Sequence, residues 1–256
     1  MLLHLQTWPD VEKYLETSQG IIIPIGSTEQ HGPNGLIGTD AICAEVIARG
    51  VGEATDALVA PTIAVGMAQH HMAFTGSMTL KPSTLIAVLR DTVDSLARHG
   101  FRRFYFINGH GGNIATVNAA FSEIYAQASL ARDGSAPGNG KSNEAGLRCR
   151  LKNWWEAPGV VPISKELYGE AEGSHATPSE VSLTWHIYPE AARPMTLEPA
   201  IAPRGGFADA ADYRRRFPDG RIGSNPGLAS VAAGKRFYDA AVAGLAEDYR
   251  SWLAAE

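Results

Sequence analysis

The chain has 256 residues, is 45% hydrophobic and carries a formal net charge of −5. Such a chain can bury a sizeable core, and its acidic balance argues against nucleic-acid binding, which needs a basic face. Its two cysteines, Cys43 and Cys149, fit neither a disulfide framework nor a zinc finger; with no signal-peptide pattern and no apolar run near the roughly 20 residues of a bilayer span, a soluble cytoplasmic protein is expected.

In chain order, "TWPDVEKYLET" is predicted as a short helix, capped by Thr7 and with Pro9 in its first turn. "GIIIPIG" (20–26) is a continuous apolar run between glycines, the pattern of a strand buried on both faces. "TDAICAEVIARGVGEAT" has helical spacing. "ALVAPTIAVG" (57–66) reads as a second buried strand. "KPSTLIAVLRDTVDSLARHG" (81–100) is an amphipathic helix. Ser83 or Thr84 is its expected cap, Leu85, Val88, Leu89, Val93 and Leu96 its stripe, and Gly100 its stop. "FRRFYFING" (101–109) is a third strand, followed by a helix over 113–131. "DGSAPGNGKSN" (133–143) reads as an exposed connection. "LRCRLKNWW" (147–155) is a fourth strand. A short helix covers 177–190, with Pro178 in its first turn. The stretch 203–227 is rich in Gly, Arg and Asp, and a last helix spans about 228–254. This alternation predicts a single α/β domain over 1–256, a mostly parallel central sheet with helices on both faces.

In an open parallel sheet, ligands bind outside the carboxyl ends of the strands. Glu29 and His31 follow the first strand within "GSTEQHGPNGLIGTD", and Asp40 closes that stretch. His70 and His71 follow the second strand. "NGHGGN" (108–113), with His110 at its centre, follows the third, and "NWWE" (153–156) follows the fourth. Glu, His and Asp together are the donor set of a hydrolytic Zn²⁺, Mn²⁺ or Fe²⁺ site. No G-x-S-x-G or GxxxxGK[ST] is present, so a serine-triad hydrolase or a P-loop enzyme has no support.

"PIGSTEQHGPNGLIGTD", "FTGSMTLKPSTL", "INGHGGN" and "SHATPSEVSL", in that order, closely resemble the creatininase (creatinine amidohydrolase) family over nearly the whole chain. The resemblance implies a metal-dependent hydrolase that opens cyclic amides or cleaves related C–N bonds. It also implies two divalent metals per subunit and a homohexamer. It implies metal ligation by Glu29, His31, Asp40 and His110, with Asp40 bridging. Glu180 is implied as a fifth ligand with a share in catalysis, and His175 as the group acting on the leaving nitrogen. His71, Trp154, Asn113 and Gly112 are the residues expected around the substrate. Two departures stand out. Gly112 occupies a position where creatininase itself has a glutamate, which argues against creatinine as substrate. "HATPSEVS" replaces the usual "HAGEWETS". The alternatives within and beyond this reading are a formamide deformylase and a metal-containing homolog without catalysis.

Several of these residues have simpler readings. His70 and His71 share no ligand spacing. Trp154 and Trp155 would face opposite ways on a strand, so one lines the pocket at most. Asn108 and Asn113 suit loop-fixing hydrogen bonds as well as substrate contact. Arg214–Arg216 reads as a solvated or subunit-contact face, and Cys43 as core.

Overall fold

The isoleucine run is the centre of the sheet. In the computed structural model, which describes residues 1–130 and 146–255, β1 (Gly20–Ile25) lies between β2 (Leu58–Val59) and β3 (Arg103–Asn108). β4 (Arg148–Asn153) pairs with the far side of β3. All pairs are parallel, in the order β2-β1-β3-β4. Successive side chains point to opposite faces. Ile22, Tyr105 and Ile107 therefore enter one core layer, while Ile21, Ile23, Ile25, Phe104 and Phe106 enter the other.

The first layer is closed by α2 (Thr39–Thr55), α5 (Val160–Leu167), α6 (Pro178–Ile187) and the long α8 (Val231–Ala254). The second is closed by α1 (Trp8–Leu15), α3 (Pro82–His99) and α4 (Asn113–Leu130). Leu85, Leu89 and Val93 form the buried stripe of α3, each fully inaccessible. Truncating one to alanine costs about 2–5 kcal/mol. This single α/β domain, with helices on both faces of a parallel sheet, is the architecture the alternation predicts. No helix among the described residues is long and apolar enough to cross a membrane.

Several boundaries differ from expectation. The second strand keeps only two residues, because Pro61 has no N–H to donate and Pro24 of β1 cannot donate back. Beyond it the chain stays on β1 through the hydrogen bond from Ala60 N to Ile22 O at 2.8 Å and an isolated Ile25–Ile63 bridge. Helix α3 is capped at Lys81 rather than at Ser83 or Thr84, since Pro82 at the first helical position already has the required φ. Val88, 36% exposed, leaves its stripe. β4 stops at Asn153, and Trp154–Glu156 forms a 3₁₀ turn. Helix α5 has no counterpart in the sequence reading. The stretch 203–227 contains a short helix, α7 (Ala210–Arg216). The expected connection at 133–143 lies outside the described residues.

Candidate metal centre

At the carboxyl end of β1 the chain turns along α2, and the loop 26–38 folds its side chains inward. The Glu29 N–H donates to Ile37 O at 2.7 Å, and Ser27 Oγ donates to Glu29 Oε2 at 2.8 Å. Glu29, His31 and Asp40 are all buried. Asp40 lies in the first turn of α2. His110 reaches the same point from the loop after β3, across Gly109. A Cβ at Gly109 would lie 2.0 Å from Asp40 O, so only glycine lets the two segments touch. Glu180 arrives from the N-terminus of α6, and His175 from the segment before it.

The imidazoles share one arrangement. A backbone carbonyl only accepts hydrogen bonds, so the ring nitrogen facing it carries the proton. His31 Nδ1 donates to Glu29 O at 3.0 Å, and its Nε2 faces Asp40 Oδ1 at 2.9 Å and Glu180 Oε2 at 3.9 Å. His110 Nε2 donates to Met67 O at 3.0 Å, and its Nδ1 faces Asp40 Oδ2 at 3.0 Å and Glu29 Oε1 at 3.3 Å. His175 Nε2 lies 2.9 Å from Gln30 O, and its Nδ1 is 3.9 Å from Glu29 Oε1.

Gln30 fixes the last tautomer. Its Oε1 accepts from Gly32 N, so its Nε2 is the donor end. That nitrogen meets Gly220 O at 2.9 Å, His71 Nδ1 at 2.9 Å and His175 Nε2 at 2.8 Å. It has two hydrogens. His175 Nε2 faces Gln30 O, which only accepts, so it carries its own proton and His71 Nδ1 is the ring nitrogen that accepts. Gly220 O and His71 take both hydrogens. His175 Nε2 is left to donate to Gln30 O, and its Nδ1 shows a lone pair to the cluster.

The electrostatics are polarised. Burial pushes the Asp40 carboxyl up, but His31 and His110 outweigh it and hold it below the usual range. Burial pushes His31 and His110 down. Asp40 and Glu180 overcome this at His31, which rises to about 10; Glu29 and Asp40 do so at His110, which rises to about 9. Burial raises Glu180 to about 7 against the pull of His31, with Asp40 adding to the rise. His71 and His175 go the other way. Burial and neighbouring imidazoles lower His71 to about 2 and His175 well below its normal value.

Glu29 Oε1 and Asp40 Oδ2 are buried without a hydrogen-bond partner. Two groups of ligand atoms share Asp40, namely Glu29, Asp40, His110 and His31, Asp40, Glu180; a third joins Glu29, His31 and His175. Within each, the atoms lie within 4.8 Å of one another. Orphaned carboxylate oxygens facing imidazole nitrogens whose other N–H is anchored on a carbonyl form a donor set that fits divalent metal.

The family model for creatininase, described as creatinine amidohydrolase, matches residues 4–249. The chain belongs to the creatininase family. A mycofactocin precursor peptide peptidase from Mycobacterium tuberculosis is 30% identical over 93% of this chain and 87% of its own length. The creatinine amidohydrolase of Pseudomonas putida is 30% identical over 42% of this chain and 44% of its own. Among solved structures, a mutant creatininase superposes with a TM-score of 0.82 at 21% identity, covering 98% of both chains. A manganese creatininase superposes at 0.80, with 23% identity and 98% of both chains covered. At that identity the structures speak for the fold.

The metal-side residues of this creatininase-family hydrolase open on a cavity of about 490 Å³. Asp40, His110, His175 and Glu180 line one side, and Trp154, Trp155, Val160 and Val161 another. Both tryptophans therefore reach the cavity, contrary to the expectation of one at most, because they sit on a 3₁₀ turn and not on a strand. Other expected substrate contacts lie elsewhere. Asn113, fully buried, accepts from Met67 N and donates to Gly26 O, and so fixes the loops. Gly112 lies behind His110, where a Cβ would stand 2.3 Å from its ring. His71 contacts Glu29 instead of the cavity. Cys43 is core, as expected, with its Sγ 3.8 Å from Glu180 O. Arg215 and Arg216 pair with Asp212, and Arg214 stacks on Phe74 at 4.3 Å. Gln30 escaped the sequence reading although it lies between two proposed ligands. Its partners are 41 and 145 residues away, beyond any local pattern.

Proposed function

We propose that this protein is a metal-dependent amidohydrolase that cleaves a C–N bond of a small cyclic amide or related amide with metal-activated water. The observation that carries this reading is the set of carbonyl-anchored imidazoles around the unpartnered oxygens of Glu29 and Asp40. Glu29, Asp40 and His110 would hold one divalent ion, and His31, Asp40 and Glu180 a second. Nitrogen and carboxylate donors of this kind suit zinc, manganese or iron. Such an ion lowers the pKa of water from near 16 to about 7 and polarises a carbonyl.

The chain's own groups move the proton. The sequence reading has His175 supplying a proton at neutral pH. Its burial among other imidazoles keeps it neutral instead, so it acts first as a base. Nδ1 takes the proton of the attacking water and hands it to the departing nitrogen. Gln30 holds the ring in the tautomer this needs. The two tryptophans and the Val160 face shield the reacting centre from bulk water.

A metal analysis of the purified protein, beside a screen of creatinine, formamides, cyclic ureides and short peptides, tests the proposal. Bound metal with turnover of one amide class is the expected result. Bound metal with no turnover of any amide would favour a ligand-binding oligomer. Cleavage of peptides alone would shift the assignment to a peptidase, a second reading favoured by the 30% relative that aligns over 93% of the chain. Creatinine should be slow, below the roughly 1–10³ s⁻¹ of ordinary enzymes, because Gly112 offers no carboxylate. The reading includes a cytoplasmic homohexamer; light scattering that finds a monomer at all concentrations would refute that assembly.

A further inference from the structure

One half-buried carboxylate on the cavity wall has no part in the chemistry above. Glu172 follows a 3₁₀ turn (Gly169–Ala171) and lines the same cavity as Asp40, His110 and Glu180. Ser179 Oγ donates to its Oε1. Its Oε2 is buried and has no hydrogen-bond partner among the described residues. Ser164, from α5, lines the cavity on this side too. Thr177 and Glu180 form the capping box of α6, and Glu172 stands beside the same helix end, next to the Ser179 N–H and the Thr177 and Ser164 hydroxyls.

We propose that Glu172, held by Ser179 and flanked by Ser164, determines substrate specificity by receiving a positively charged, N–H-bearing nitrogen group of the amide substrate. The inference rests on the amidohydrolase reading for its word "substrate". Leaving a carboxylate oxygen buried and unpaired is costly, and an N–H cation is the partner that removes the cost most fully. A neutral donor would form the weaker bond. Lys165, on α5, lines the same cavity and would favour an anion instead. It is exposed, however, so water screens its charge, whereas Glu172 acts in a less polar setting. The apolar wall of Trp154 and Val160 can cover the carbon chain that joins the cation to the amide.

The test has two arms on the metal-loaded protein. In the first, n-butylammonium, n-butanol and butyrate are titrated by calorimetry. Butylammonium should bind about 10- to 100-fold more tightly than butanol, and Glu172→Gln should erase that ratio. In the second, paired amides that differ only by an ammonium against a methyl group are compared by kcat/KM in both proteins. The ratio should fall by a similar factor in Glu172→Gln. Taking ratios cancels any common loss of turnover. Equal binding of the three probes, preference for butyrate, or a ratio that survives Glu172→Gln would each overturn the proposal. Binding as expected without hydrolysis of any amide would instead overturn the amidohydrolase reading and leave the cation site standing. Should Glu172→Gln fail to fold, Ser179→Ala must lower the binding ratio by about 2- to 10-fold, and an unchanged ratio there would also refute it.

Discussion

Arg221 and the cluster around Asp40 both bury charge, and they do so in opposite ways. Arg221 is completely inaccessible, and its guanidinium is satisfied all round. Nε donates to Asp219 Oδ2 at 2.8 Å, Nη1 to Ala200 O and Ser224 O, and Nη2 to Pro199 O. The cluster of Glu29, Asp40, His31 and His110 is buried as deeply, yet Glu29 Oε1 and Asp40 Oδ2 have no hydrogen-bond partner. A charge whose partners all come from the chain serves the fold. A cluster with orphaned ligand atoms is completed by something else. The comparison therefore predicts that damage at Arg221 appears in stability, and damage at the cluster in metal content and turnover.

The largest effect is expected at Asp40, whose two oxygens face His31 and His110. Asp40→Ala should remove at least one metal per subunit and abolish turnover. Elemental analysis that finds full metal content would break the bridging role. His175→Ala comes next. It should keep the metal and lower kcat by about 10²–10⁴-fold, less for substrates whose leaving group needs no proton. If metal leaves together with activity, His175 is a ligand, and His71 becomes the candidate for the proton.

Arg221→Met is the counterpart on the structural side. It strands the carbonyls of Ala200, Ser224 and Pro199 and leaves Asp219 without its cation. Asp219 keeps its contact with water, but each buried carbonyl left without its donor costs about 1–3 kcal/mol. Urea denaturation should show that loss, while metal content per folded chain stays normal. A change below about 1 kcal/mol would mean that the two regions are not as different as they look. Removing metal by chelation should lower Tm reversibly. At a free metal concentration 100 times Kd the stabilisation is about 2.7 kcal/mol. A melting curve indifferent to chelator and to added metal would undo the case for the centre.

What the sequence made legible follows from how local each signal is. Ile21–Ile25 could be read as a doubly buried strand because every residue is apolar and glycines bound it. The ligand candidates were legible because Glu29, His31 and Asp40 fall within one short stretch of sequence and His110 sits among glycines. Length was misjudged where proline acts through pairing: Pro61 cut β2 short, and Pro82 moved the cap of α3. Helix α5, "VVPISKEL", is short and carries Pro162, so no helical period stood out. Glu172 was invisible because its meaning depends on Ser179 and on a cavity wall supplied by α5. No spacing encodes that.

The smallest effect sharpens the comparison most finely, because one local device occurs both outside and inside the site. Helix α1 begins with a capping box of Thr7 and Asp10, and helix α6 with one of Thr177 and Glu180. The first is exposed. In the second, Glu180 Oε1 accepts from the Thr177 N–H, while Oε2 faces His31. Thr177→Ala removes the hydroxyl that accepts from Glu180 N and should cost about 0.5–2 kcal/mol of stability. It should also loosen Glu180 and weaken metal binding by about tenfold. Thr7→Ala should weaken α1 alone and leave metal affinity untouched. Its pH dependence has a definite sign. The hydrogen bonds from Thr7 lower the Asp10 pKa below 3.8, so the cap's contribution is fully present above that value and is lost as pH falls through the lower, folded value. Stabilities of Thr7→Ala and the parent protein should therefore differ at neutral pH and converge in acid. A gap that persists in acid would show that the carboxylate has no part in the cap, and a loss of metal affinity in Thr7→Ala would erase the distinction between the two boxes.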